Sequence, residues 1–128
     1  MTGNTDTMTN TQKRVLIAED EKPLSHALEL KLQREGFATT VASNGQECLT
    51  LLNNSDFDIV LLDLMMPVVD GFQVLQQLQK RPKQPTVFVL SNLSQAEDEQ
   101  RVLQLGAKKY FIKSDTPLSV IVDEVKKA

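Results

Sequence analysis

Cys48 is the only cysteine among the 128 residues, so no intrachain disulfide can staple this chain. It falls in the apolar set of a predicted helix, which marks it as a small buried hydrophobe rather than a reactive thiol, and a reducing compartment fits that usage. Aromatic residues make up only 5%, and 14 basic residues against 17 acidic ones leave a formal charge of -3. Such a chain lacks both the stacking platforms and the cationic surface that hold nucleic acid. Asp63 and Asp70 break the longest apolar stretches, well before the ~20 residues that a membrane span needs. No apolar core follows the first Met as a signal peptide requires. The expectation is a cytoplasmic protein with no membrane and no direct nucleic-acid contact.

What is present is enough for one core. At 41% hydrophobic content, residues 13–128 predict a single domain, with no room for an appended output module. Residues 1–12 are rich in Thr and Asn without apolar periodicity, too little to offset the entropy of ordering, and predict a disordered leader.

From Lys13 onward, short apolar runs alternate with amphipathic stretches. Strands are predicted near 14–18, 38–42, 58–62, 86–90 and 109–112, and helices near 23–35, 45–54, 71–81, 95–105 and 117–127. The runs before the loops, such as Val15-Leu16-Ile17-Ala18 and Ile59-Val60-Leu61-Leu62, are apolar without alternation, as in strands buried on both faces. In the last helix Leu118, Ile121, Val122 and Val125 keep helical spacing, with Thr116 predicted as N-cap and Pro117 in the first turn. Ser94 with Glu97 reads as a capping box, and Gly36 and Gly106 as left-handed residues ending the first and fourth helices. Five strands alternating with five helices imply a doubly wound parallel sheet with helices on both faces.

Glu19-Asp20, Asp63, Ser91 and Lys113 each lie where an apolar run gives way to a loop. In an open α/β sheet the ligand crevice lies beyond the carboxyl ends of the strands, where the winding reverses. With strand order 2-1-3-4-5 that point falls between the first and third strands, and all five groups face one crevice. Taken singly, a strand-end Asp is often a helix cap and a lone Lys a solvated charge; their joint placement is what points to function. Three carboxylates within ~5 Å repel by about 3 kcal/mol per pair at an effective dielectric near 20, or roughly two pKa units. Oxygen ligands without Cys or His suit Mg²⁺ or a similar hard cation. Asp20 and Asp63 are the expected direct ligands, with Glu19 through water and the backbone carbonyl of Met65 as a third. A carboxylate is also a nucleophile, and a phosphoryl group on Asp63 would meet the cation, the Lys113 ammonium and the Ser91 hydroxyl.

The run Asp63-Leu64-Met65-Met66-Pro67-Val68-Val69-Asp70-Gly71, together with Glu19-Asp20, Ser91, Tyr110 and Lys113, resembles the receiver domain of bacterial response regulators over about Arg14 to Ala128. The resemblance implies a flavodoxin-like fold and an Asp63 that accepts a phosphoryl group from a phosphohistidine on a sensor histidine kinase or phosphotransfer protein. It implies Mg²⁺ held by Glu19 and Asp20, Lys113 on the phosphoryl oxygens, small donors such as acetyl phosphate, and self-catalysed dephosphorylation by an in-line water rather than turnover of a separate substrate. The implied switch runs through Ser91, which moves to the phosphate, and Tyr110, whose ring turns inward. The face of the fourth helix, fifth strand and fifth helix then changes its downstream protein partner, and the first helix is where such kinases dock.

Several positions depart from the family's pattern. Ser114 follows Lys113 where Pro is usual, and Asn92 stands where a small residue is common. Met65 and Leu93 are apolar at positions that influence hydrolysis, which predicts a long-lived phosphorylated state. Lys108-Lys109 replaces the acidic residues of receivers that dimerise through the fourth and fifth helices, so that dimer is not expected. His26 reads as a solvated or partner-facing residue. Two other functions compete with the receiver: a phosphorylation-independent scaffold, and a phosphohydrolase using an aspartyl phosphate. The intact acidic pair, nucleophile and lysine argue against the scaffold. The hydrolase needs a second acid two residues past Asp63, where Met65 stands.

Overall fold

Short β-branched runs and amphipathic segments alternate from Lys13 onward, and the computed structural model, which describes residues 12–93 and 95–128, resolves them into five βα units. The strands are β1 (Arg14–Ala18), β2 (Ala38–Ala42), β3 (Ile59–Asp63), β4 (Thr86–Ser91) and β5 (Lys109–Ile112). The helices are α1 (Lys22–Arg34), α2 (Gly45–Asn54), α3 (Gly71–Gln79), α4 (Ala96–Gln104) and α5 (Leu118–Lys127), with a 3-10 turn over Lys113–Asp115. All pairings are parallel, in the order β2-β1-β3-β4-β5, so the predicted doubly wound sheet and strand order hold.

Residue alternation on the strands divides the interior in two. Leu16, Val60, Leu62 and Val89 face α2, α3 and α4, where they meet Cys48, Leu52, Val74, Leu75 and Val102. Val15, Ile17, Ile59, Leu61 and Phe88 face α1 and α5, against Leu28, Leu32, Ile121 and Val125. Each large apolar side chain removed from water contributes about 1.5–3 kcal/mol. α4 is the exception among the helices, since Val102 is its only buried residue.

The helix boundaries follow local chemistry. Gly36 (φ 93°) and Gly106 (φ 102°) are left-handed and close α1 and α4 as expected: Phe37 N–H reaches Leu32 O, and Ala107 N–H reaches Val102 O. Asp70 caps α3 in a reciprocal box with Gln73. The cap of α5 differs from expectation. Pro117, extended at ψ 149°, is the N-cap and no side chain caps the helix, because the 3-10 turn ends at Asp115 and Thr116 is itself extended. α4 starts one residue late with Gln95 as an uncapped N-cap; Ser94 lies outside the described residues, as does the predicted leader up to residue 11.

Candidate functional site

Strand register gathers the polar residues. Ala18 pairs with Leu62, so the next residues along, Glu19 and Asp63, stand side by side past the end of β1 and at the end of β3. Ser91 pairs with Ile112, which sets Lys113 just beyond it at the same edge. Together they open a cleft of about 170 Å³ lined by Asp20, Glu21, Asp63, Met65, Asn92 and Lys113. It lies at the winding reversal between β1 and β3.

The acidic cluster is tight. Carboxylate oxygens of Glu19, Asp20 and Asp63 all lie within 4.8 Å of one another, with Glu19 and Asp63 buried and Asp20 exposed. The Lys113 ammonium sits among them at 2.7 Å from Glu19 Oε1, 2.8 Å from Glu21 Oε2 and 3.1 Å from Asp63 Oδ2. The remaining Asp63 oxygen, Oδ1, accepts the Met65 N–H at 3.1 Å. Glu19 Oε2 accepts the Glu21 N–H at 2.9 Å, whereas Oε1 accepts no hydrogen bond of good geometry and has only its ion pair.

Four carboxylates against one ammonium leave the site over-charged. Burial lifts the Glu19 carboxyl from 4.5 to about 7, the Lys113 and Glu21 contacts opposing it and the Asp63 charge adding to it. Burial likewise raises Asp63, against the Met65 N–H and Lys113. On Lys113, burial works against the ammonium, but Glu19, Glu21 and Asp63 outweigh it and hold the proton more firmly than usual. An all-oxygen donor set, surplus negative charge and a buried oxygen without a hydrogen bond fit a hard divalent cation such as Mg²⁺.

Ser91 is fully buried. Its Oγ accepts the Leu93 N–H at 3.1 Å, and the Tyr110 hydroxyl donates to the Leu93 carbonyl. The Tyr110 ring packs half-buried against the core on the α4 side. Burial raises the Tyr110 hydroxyl, with Ser91 opposing and the charges of Asp98 and Glu99 adding.

Glu19, Asp20, Asp63 and Lys113 therefore meet at the carboxyl edge of the sheet, whereas Ser91, buried, and Tyr110, half-buried, lie beside it and are not among the residues that line the cleft. Lys113 reaches the cluster although Ser114 follows it, through a trans peptide in the 3-10 turn. Met65 is 60% exposed and lines the cleft with Asn92, while Leu93 packs toward the core. His26 is solvated, at 70% side-chain exposure, and Cys48 is buried. Lys109 pairs with Glu124 of the same chain at 2.9 Å. Sequence reasoning missed Glu21, whose signal was a third consecutive acid after Glu19-Asp20.

A doubly wound sheet with an acidic pair, a strand-end aspartate and a lysine at its carboxyl edge defines a class, and residues 15–124 match the response regulator receiver domain. The chain belongs to that family. It is 36% identical over 107 residues to the probable transcriptional regulator ycf27 of Guillardia theta, covering 84% of this chain and 42% of that protein. It is 35% identical over 99 residues to the uncharacterized transcriptional regulatory protein YkoG of Bacillus subtilis, covering 77% and 43%. The chain thus spans less than half the length of these curated relatives. Among solved structures, the receiver domain of Francisella response regulator 1452 superposes with TM-score 0.85 at 31% identity, covering 91% of this chain and 95% of that one. Response regulator TrrA of Thermotoga maritima, in complex with Mg²⁺-BeF, gives TM-score 0.79 at 29% identity, covering 91% and 98%. Among the described residues no helix is long and apolar enough to cross a membrane.

Proposed function

We propose that this chain is the phosphoacceptor of a two-component phosphorelay, in which Asp63 takes a phosphoryl group from a phosphohistidine on a sensor histidine kinase or phosphotransfer protein. The observation that carries the reading is the Asp63 carboxylate, buried at the cleft floor with Lys113 3.1 Å from Oδ2 inside an all-oxygen acidic cluster. An Asp63 oxygen attacks phosphorus and forms the P–O bond. The P–N bond to the donor imidazole breaks, and its electron pair stays on the nitrogen, which takes up a proton. Lys113 neutralises charge on the phosphoryl oxygens.

Glu19, Asp20 and Asp63, with the Met65 carbonyl, are the residues that would hold Mg²⁺. The bound ion supplies the positive charge that this cluster lacks; the TrrA complex with Mg²⁺-BeF supports the same use here. The chain acts in the cytoplasm and turns over no separate substrate, losing its own phosphoryl group slowly because Met65, at the cleft, offers water no hydrogen-bonding group. The Ser91 and Tyr110 hydroxyls then reset the surface of α4, β5 and α5 for a downstream protein.

Incubation with Mg²⁺ and acetyl phosphate, followed by intact mass, tests this. One added phosphoryl group is expected in the wild type and none in Asp63→Asn. A wild type that stays unmodified would leave only a scaffold, and steady hydrolysis of phosphate esters would make it a hydrolase.

A further inference from the structure

Three carboxylates surround the Lys113 ammonium: it donates to Glu21 at 2.8 Å and to Asp63 at 3.1 Å, and Glu19 lies 2.7 Å away in an ion pair. An ammonium with three carboxylates already packed around it has little room for a further anion. If it is to meet the oxygens of a phosphoryl group on Asp63, one contact must give way.

The three are not equally replaceable. Glu19 is 1% exposed, and its Oε1 has no partner other than this ammonium, so releasing it would strand a buried charge. Asp63 is the residue that would carry the phosphoryl group, as an acyl phosphate. Glu21, by contrast, is 54% exposed on its side chain at the mouth of the same cleft, and its carboxylate can return to water at small cost. It sits on the loop entering α1, and among the described residues its carboxylate has no hydrogen bond or ion pair except that to Lys113.

Resting on the phosphoacceptor reading above, we propose that Glu21 is a displaceable placeholder. It accepts one Lys113 proton in the unphosphorylated protein and yields it to a phosphoryl oxygen on Asp63. It is a positioning residue that acts through Lys113, keeping the ammonium at the cleft mouth while competing with every anionic donor that enters. The chain thereby carries its own brake on both the gain of the phosphoryl group and its retention.

The test compares wild type, Glu21→Gln and Glu29→Gln at saturating Mg²⁺, reading by intact mass the acetyl phosphate concentration for half-maximal modification and the decay of the adduct after the donor is removed. Glu29 is an acid on α1 outside the cleft, so its variant reports the bare loss of a negative charge. Glu21→Gln is expected to lower the half-maximal concentration about two- to fivefold, the range of an exposed ionic contact, and to slow decay, with Glu29→Gln near wild type. In a Lys113→Gln background the Glu21 substitution should lose its effect, since its route is gone. An unchanged or weaker Glu21→Gln response, an equal response from Glu29→Gln, or a Glu21 effect that survives without Lys113 would each overturn the placeholder role. Absence of any adduct in wild type would instead remove the phosphoacceptor reading itself.

Discussion

Ser91 and Tyr110 hold opposite ends of one residue: the Ser91 Oγ accepts the Leu93 N–H, and the Tyr110 hydroxyl donates to the Leu93 carbonyl. A buried hydroxyl at the end of β4 and a ring on the edge strand are therefore joined through a single loop residue. If Ser91 turns toward a phosphoryl oxygen, the Leu93 amide loses its acceptor, and the carbonyl that anchors Tyr110 moves with it. Ser91→Ala and Tyr110→Phe should each cost about 1 kcal/mol in urea unfolding. Together they should cost less than the sum by about 0.5 kcal/mol or more, because both bonds position one segment. Strict additivity would mean that the two hydroxyls act independently.

Glu19 gives the metal-free protein a pH dependence of known sign. Burial raises its carboxyl from 4.5 in the unfolded chain to about 7 in the folded one, so over that interval the native state binds the extra proton. Stability therefore falls as pH rises through the interval, the full contribution being present below it and lost above it. With a chelator present, wild type should lose on the order of 2 kcal/mol between about pH 5 and about pH 7.5, and Glu19→Gln should lose much less. Adding Mg²⁺ at the upper pH should restore stability to wild type by mass action and do little for Asp20→Asn.

Val68 has φ 71°, a left-handed conformation that a β-branched residue resists. The Val69 N–H bonds Pro67 O across it at 2.9 Å, forming a γ-turn. Replacing Val68, which is 81% exposed, by Gly or Asn should stabilise the fold by about 1 kcal/mol, seen as a higher melting temperature. The turn is packed from below by Gly45, where an added Cβ would lie 1.8 Å from Val69 O. Gly45→Ala should therefore cost about 1–3 kcal/mol, and an unaffected melting temperature would show that the turn moves aside freely.

Burial pushes the Cys48 thiol up to about 12, so almost no thiolate forms near neutrality. A disulfide reagent at about pH 8 should leave native protein unlabelled and modify one thiol once denaturant is added. Labelling of the native chain at the rate of a free thiol would require α2 to open readily.

The sheet was legible because its three central strands are buried on both faces, so runs such as Val15–Ala18 and Val87–Leu90 carry no polar interruption until the carboxyl edge. That same edge made Asp63, Ser91 and Lys113 visible: each is the first polar residue after such a run. Caps were less legible. Near α5, Thr116 and Pro117 compete within two residues, and the outcome depends on where the preceding 3-10 turn releases the chain. Glu21 left almost no trace, since it follows no apolar run and its partner Lys113 is 92 residues away. Nor does any side-chain pattern encode the part played by Leu93, which acts through its backbone.

With Val102 as its only buried residue, α4 is pegged to the molecule at one point, helped by Arg101 stacked 4.1 Å over the Phe72 ring of α3. Pulling that peg exposes one valine, where shifting any other helix would uncover two or more side chains. Among the five, it is the helix whose displacement would uncover the least, so a phosphoryl group on Asp63, if it forms, would find there the cheapest element to move.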